Sequence, residues 1–128
     1  MSIKVKAIAR KNPRDLTAPP KYYASKVNNG EVTLETISFH IAQMSTVSKT
    51  DVLAVLTALT EVIPKQLEDS KIIRLGKLGS FNIGVHSDPA DTIEEVSASS
   101  VNRLKITYRP SIELKREVEA FPVSKITE

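Results

Sequence analysis

Residues 71–86 read KIIRLGKLGSFNIGVH. Two short apolar runs, Ile72-Ile73 to Leu75 and Phe81 to Val85, flank the link Gly76-Lys77-Leu78-Gly79-Ser80. Ile73 and Leu75, then Phe81, Ile83 and Val85, recur at every second position. A period of two around a glycine-rich link predicts a β-hairpin with one buried face. Residues 71–85 hold three basic side chains and no acid. The hairpin reads as the floor on which the helices of the chain pack.

Two helices are expected before it. Thr33 is an N-cap candidate, with Val32 and Ile37 as a staple, and Leu34, Ile37, Ile41 and Met44 fall on one helical face. Ser48 with Asp51 forms a capping-box-like start for a second helix, stapled by Val47 and Val52. Val52, Val55, Leu56, Leu59, Val62, Ile63 and Leu67 follow helical spacing, and Val52 to Thr60 carries no charge. A helix apolar on most sides is buried on most sides. In a short chain that places it between its own body and a second subunit. Pro64 predicts a kink or an early end.

After the hairpin, His86 to Ser100 (HSDPADTIEEVSASS) has no apolar period and reads as an exposed arm or loop. Arg103 to Arg109 alternates again, with Leu104, Ile106 and Tyr108 against Arg103, Lys105, Thr107 and Arg109, and predicts a third strand. Ser111 caps a last helix bearing Leu114, Val118 and Phe121, Pro122 stops it, and residues 123–128 form a tail.

Residues 1–30 carry seven Lys or Arg against one acid. Ile3 to Arg10 alternates and predicts a strand, three prolines mark the following loop, and Lys21 to Val27 fits a second strand. The expected domain order is a basic β extension at 1–30, a main domain at 31–122 with an arm at 86–100, and the tail. The plain alternative for the extension is a solvated, partly ordered tail.

Composition bounds the function. The 128 residues, 41% hydrophobic and 26% charged, suit one globular domain with an appendage. There is no cysteine, so disulfides and thiolate metal sites are excluded. The two histidines, His40 and His86, lack ligand-like spacing, and no nucleophile–base arrangement has positional support. The reading is therefore not an enzyme, with no cofactor, metal or small-molecule substrate. No apolar run approaches the ~20 residues of a membrane span, and the expected setting is cytoplasmic.

Four motifs, in order, resemble the bacterial histone-like HU/IHF DNA-bending family. Ser48-Lys49-Thr50-Asp51-Val52 resembles the opening of the family's long second helix. Leu75-Gly76-Lys77-Leu78-Gly79-Ser80-Phe81 looks like its Leu-x-Gly-Phe-Gly-Thr-Phe hairpin. Val96-Ser97-Ala98-Ser99-Ser100-Val101 resembles the return of its arm, and Arg109-Pro110-Ser111-Ile112-Glu113-Leu114-Lys115 the start of its last helix. The likeness covers Thr33 to Ala120, and the basic extension resembles a branch of HU-related proteins that carry one.

The resemblance implies an α+β, HU/IHF-like fold. It has two N-terminal helices, a three-stranded antiparallel sheet with a β-arm, and a C-terminal helix, interlocked as a dimer with Val52, Val55, Leu56, Leu59 and Phe81 in the shared core. A homodimer is the simplest form, and a heterodimer with a paralogue stays open. It further implies a nucleoid-associated protein that binds, and by arm insertion bends, double-stranded DNA with low sequence specificity. The sequence departs from the family at the arm, where Asp88, Asp91, Glu94 and Glu95 stand without any Lys or Arg. Pro89 is the one candidate wedge, and a plain turn proline is the simpler reading of it. DNA contact then falls to Arg74, Lys77, Arg103, Lys105 and Arg109, with Lys49 and the extension's Lys4, Lys6, Arg10 and Lys11. The alternative is a dimeric interaction or scaffold module that has lost arm-mediated DNA binding.

Overall fold

The computed structural model describes residues 1–127, which form two compact units. The larger, Thr33–Arg116, opens with α1 (Leu34–Gln43) and α2 (Lys49–Glu68). Both start where local chemistry dictates. The Thr33 hydroxyl accepts from the Thr36 N–H and the Ser48 hydroxyl from the Asp51 N–H, satisfying donors that a helix start leaves free. Each cap contributes about 1 kcal/mol.

α2 does not end at Pro64. It continues to Glu68, with the proline inside it. The helix closes instead at Ser70, whose φ of 59° is left-handed. The Ser70 N–H donates to the Leu67 carbonyl (3.1 Å) and the Lys71 N–H to the Gln66 carbonyl (3.4 Å). That paired closure satisfies the last carbonyls and turns the chain into the sheet.

The sheet order is β3 (Ile73–Arg74), β4 (Ser80–Ser87), β5 (Val101–Arg109), antiparallel throughout. The hairpin is shorter on its first side than expected, because Gly76–Leu78 tightens into a 3-10 turn. Gly79 is buried and has φ +119°, and a Cβ there would stand 2.2 Å from the Arg109 carbonyl oxygen. Only glycine lets this turn approach the end of β5. Two hydrogen bonds hold the approach. The Tyr108 hydroxyl donates to the Leu78 carbonyl (2.6 Å), and the Ser111 hydroxyl to the Lys77 carbonyl. Ser111 also accepts from the Leu114 N–H (3.0 Å), capping α3 (Ile112–Glu119). One side chain thus ties the start of α3 to the hairpin turn.

Residues 86–100 do not form a two-stranded arm. The β4–β5 ladder stops at the Ser87–Val101 pair, past a register shift after His86. Beyond it lie two 3-10 turns, Ile93–Glu95 and Ala98–Ser100. The Asp88 N–H donates to the Ser100 carbonyl (2.9 Å), and Asn102 bridges His86 Nδ1 and the Asp88 carboxylate (2.8 and 2.7 Å). Strand extension loses here because the segment lacks alternating apolar residues, while Ser97 and Ser100 cap each other locally.

The single chain has a thin core. Among the described residues only Val52 and Leu67 are buried hydrophobics, with Ser38 as the buried polar residue. On the apolar face of α1, Leu34, Ile37 and Met44 are exposed and Ile41 is half-buried, while Ser38 is buried. Its hydroxyl is satisfied by the Leu34 carbonyl (2.7 Å). On α2, Val52, Leu56, Ile63 and Leu67 are shielded to differing degrees, whereas Val55, Leu59 and Val62 form a second apolar stripe open to solvent. Of the expected dimer core, Leu56 and Phe81 are half-buried, and Phe81 packs against Tyr108 with ring centroids 5.1 Å apart.

The smaller unit comprises Met1–Val32 and the stretch from Glu117. β1 (Ile3–Arg10) pairs antiparallel with β2 (Lys21–Lys26). The C-terminal stretch is not a free tail. β6 (Val123–Lys125) pairs parallel with Ile3 to Val5, giving the order β2-β1-β6. A two-stranded ribbon is marginal alone, and the third strand gives β1 a second partner.

Candidate nucleic-acid interface

Strand register assembles the site in the larger unit. On β4 and β5 the pairs Ser80↔Arg109, Asn82↔Thr107, Gly84↔Lys105 and His86↔Arg103 alternate with Phe81↔Tyr108, Ile83↔Ile106 and Val85↔Leu104. Successive side chains of a strand point to opposite faces, so one face of the sheet is polar and basic and the other apolar. Arg74 pairs with Ser80, which continues the basic row onto β3. Arg74, Lys105 and Arg109 line one concavity of about 420 Å³ with Ser80, Asn82 and Thr107. Gly84 leaves room for the Lys105 stem, since a Cβ there would stand 2.8 Å from Lys105 Cε. Among the described residues, no ion pair occupies Arg74, Arg103, Lys105 or Arg109. All four are exposed.

The other sequence candidates lie apart from this row. Lys77 sits in the 3-10 turn before Gly79, with its carbonyl engaged by Ser111. Lys49, at the start of α2, is 3.3 Å from Glu35 in an exposed pair, an interaction worth under about 1 kcal/mol and easily exchanged. Pro89 is exposed in the acidic loop, outside any strand. Lys4, Lys6 and Arg10 share one side of β1 by alternation in the smaller unit, with Lys11 just past the strand.

Sequence reasoning placed Thr107 on the face of Lys105 and Arg109 but missed Ser80 and Asn82 beside the cations. The signal lay in the alternation, which places them on the face of Lys105 and Arg109, but the register had to be known first. In the smaller unit, Lys21 stands opposite Arg10.

The apolar face of the sheet borders a groove of about 610 Å³. Ile63, Pro64 and Leu67 of α2 line one wall, and Ile83, Val85, Leu104 and Ile106 the other. Among the described residues, no three His, Asp or Glu side chains gather to hold a metal ion, and no helix is long and apolar enough to cross a membrane.

The fold has a solved counterpart from Bacteroides vulgatus, described as a "Putative bacterial DNA binding protein". It superposes with a TM-score of 0.66 at 10% sequence identity, over 97% of this chain and 48% of that one. The chain thus spans about half the length of this structural relative. No curated protein matches the sequence. Residues 1–125 match the family model HU-HIG, described as an HU domain fused to wHTH, Ig, or Glycine-rich motif. With nearly the whole sequence matched, extension included, the chain belongs to the HU-HIG family.

Proposed function

We propose that this protein is a histone-like architectural DNA-binding protein that holds duplex DNA with low sequence specificity, as a dimer in the nucleoid. The observation that carries the reading is the basic row of Arg74, Arg103, Lys105 and Arg109 on one face of β3–β4–β5. Such a row neutralises phosphates and releases counterions, which supplies sequence-independent affinity. Ser80, Asn82 and Thr107 beside it suit sugar and phosphate oxygens. Membership of an HU family and the description of the structural relative support the same partner.

The dimer rests on the apolar surface that the larger unit leaves open. Val55, Leu59 and Val62 of α2 are exposed, and Ile63, Leu67, Ile83, Val85, Leu104 and Ile106 line the groove; apolar surface of this kind marks a protein interface. A second copy of the chain is the occupant this reading assigns.

Duplex DNA titrated at several salt concentrations tests the proposal. Micromolar binding that weakens steeply with salt is expected, with a log–log slope of about 0.9 per phosphate neutralised. Lys105→Glu with Arg109→Glu should abolish it. Absence of binding at low salt refutes the function, and unchanged affinity in the charge-reversed variant refutes the assigned face.

A second reading, a dimeric scaffold without DNA, is favoured by the folded acidic loop, where Asp88, Asp91, Glu94 and Glu95 replace a basic arm. The same titration separates the two.

A further inference from the structure

We propose a second, separate nucleic-acid phosphate site in the smaller unit, formed by Arg10, Lys11 and Lys21 around a concavity beside Tyr23. The inference rests on the DNA-binding reading but uses none of the residues that carry it.

Two observations converge. The loop that joins β1 to β2 folds over the strand ends and encloses about 440 Å³, lined by Arg10, Lys11 and Lys21 with Asn12, Pro19 and Tyr23 among the neutral residues, and by no acid. The loop is built rather than slack. The Arg14 N–H donates to Asn12 Oδ1 (2.9 Å), and the Thr17 N–H and hydroxyl both donate to Asp15 Oδ1 (3.0 and 2.6 Å). The one acid of residues 1–30 is thus committed to the loop and does not neutralise the cations.

Secondly, Arg10 and Lys21 stand directly opposite in the β1–β2 register. Like charges placed directly across strands destabilise a sheet. Arg10 finds partial relief over the Tyr23 ring, 5.5 Å from its centroid, since a ring face attracts a cation. Lys21 and Lys11 have no partner among the described residues. A phosphate seated between the three cations removes the repulsion and adds charge-assisted hydrogen bonds. The partial enclosure sets this cluster apart from Lys4, Lys6 and Lys26, none of which lines it.

The chain would then grip nucleic acid at two places, one in each unit. The test is an NMR titration of the full chain with inorganic pyrophosphate, followed by one with duplex DNA. Saturable amide shifts centred on Arg10, Lys11 and Lys21 are expected. They should be lost in Arg10→Gln/Lys21→Gln and kept in Lys26→Gln, whose side chain lies on the opposite face. Lys21→Gln alone keeps the Arg10–Tyr23 contact and should weaken the response several-fold, so loss of fold is not confused with loss of the site. In the DNA arm, the double variant should lower the salt slope by about 0.9 for each phosphate it no longer neutralises. Shifts spread evenly over all basic residues, a double variant that responds like wild type, or an unchanged salt slope would each overturn the site. If Lys105→Glu/Arg109→Glu leaves DNA affinity intact while the pyrophosphate response persists, the sheet-face reading fails and this one stands.

Discussion

Single residues show most directly what local chemistry can specify. Thr33, Ser48 and Ser111 act as caps because a hydroxyl beside a helix start has a near-obligatory use, and this was legible without tertiary information. Gly79 was legible as a turn glycine, but not as the point where the turn meets the Arg109 carbonyl, since that approach depends on β5. Gly79→Ala should therefore destabilise the larger unit by about 3 kcal/mol, combining backbone strain with overpacking; chemical denaturation measures it. Gly76→Ala has open space around its Cβ and should cost less. At Asp15, the hydrogen bond from the Thr17 hydroxyl, then that from the Thr17 N–H, holds the carboxyl below its ordinary value of 3.8. A depressed folded value stabilises the loop above 3.8, and that contribution is lost as pH falls through the folded value. Thr17→Ala should move the Asp15 titration up toward 3.8, read from its side-chain carbon shift by NMR.

The strands and helices were legible in proportion to their periodicity. β1 and β5 alternate over most of their length and were found from the pattern. β6 was not, because three residues carry no period and Val123-Ser124-Lys125 becomes a strand only through β1. On α1 the apolar row of Leu34, Ile37, Ile41 and Met44 was legible, but not that the small Ser38 is the residue enclosed in the single chain. The acidic segment after β4 is non-periodic in sequence, but hydropathy reports neither the serine hydroxyls at the Ala98–Ser100 turn nor the Asn102 bridge between His86 and Asp88. Replacing Asp88, Asp91, Glu94 and Glu95 by Asn or Gln should strengthen duplex binding several-fold at 0.1 M salt by fluorescence anisotropy, since carboxylates beside a phosphate chain oppose it. Pro89→Ala should leave both affinity and the FRET-measured bend unchanged; a diminished bend would restore the wedge.

For the molecule as a whole, the uncharged run of α2 raises the expectation of a second subunit, and the structure divides its apolar residues into two sets. Val52 and Leu67 are taken up inside the chain, while Val55, Leu59 and Val62 are left out. Leu59→Asp should convert a species of twice the 14.1 kDa chain mass into a monomer in sedimentation velocity, with helical circular dichroism reduced as the exposed core loosens. A wild-type chain that sediments as a folded monomer at low micromolar concentration would refute the dimer. The pairing of β6 with β1 bears on how the chain is made. Ile3 meets Val123 in that ladder, so the sheet of the smaller unit cannot close until Val123 has left the ribosome. Thr33 to Arg116 has no such wait. Pairings distant in sequence form late, so in pulsed hydrogen exchange during refolding the β6 amides that pair with β1 should gain protection after those of β4 and β5.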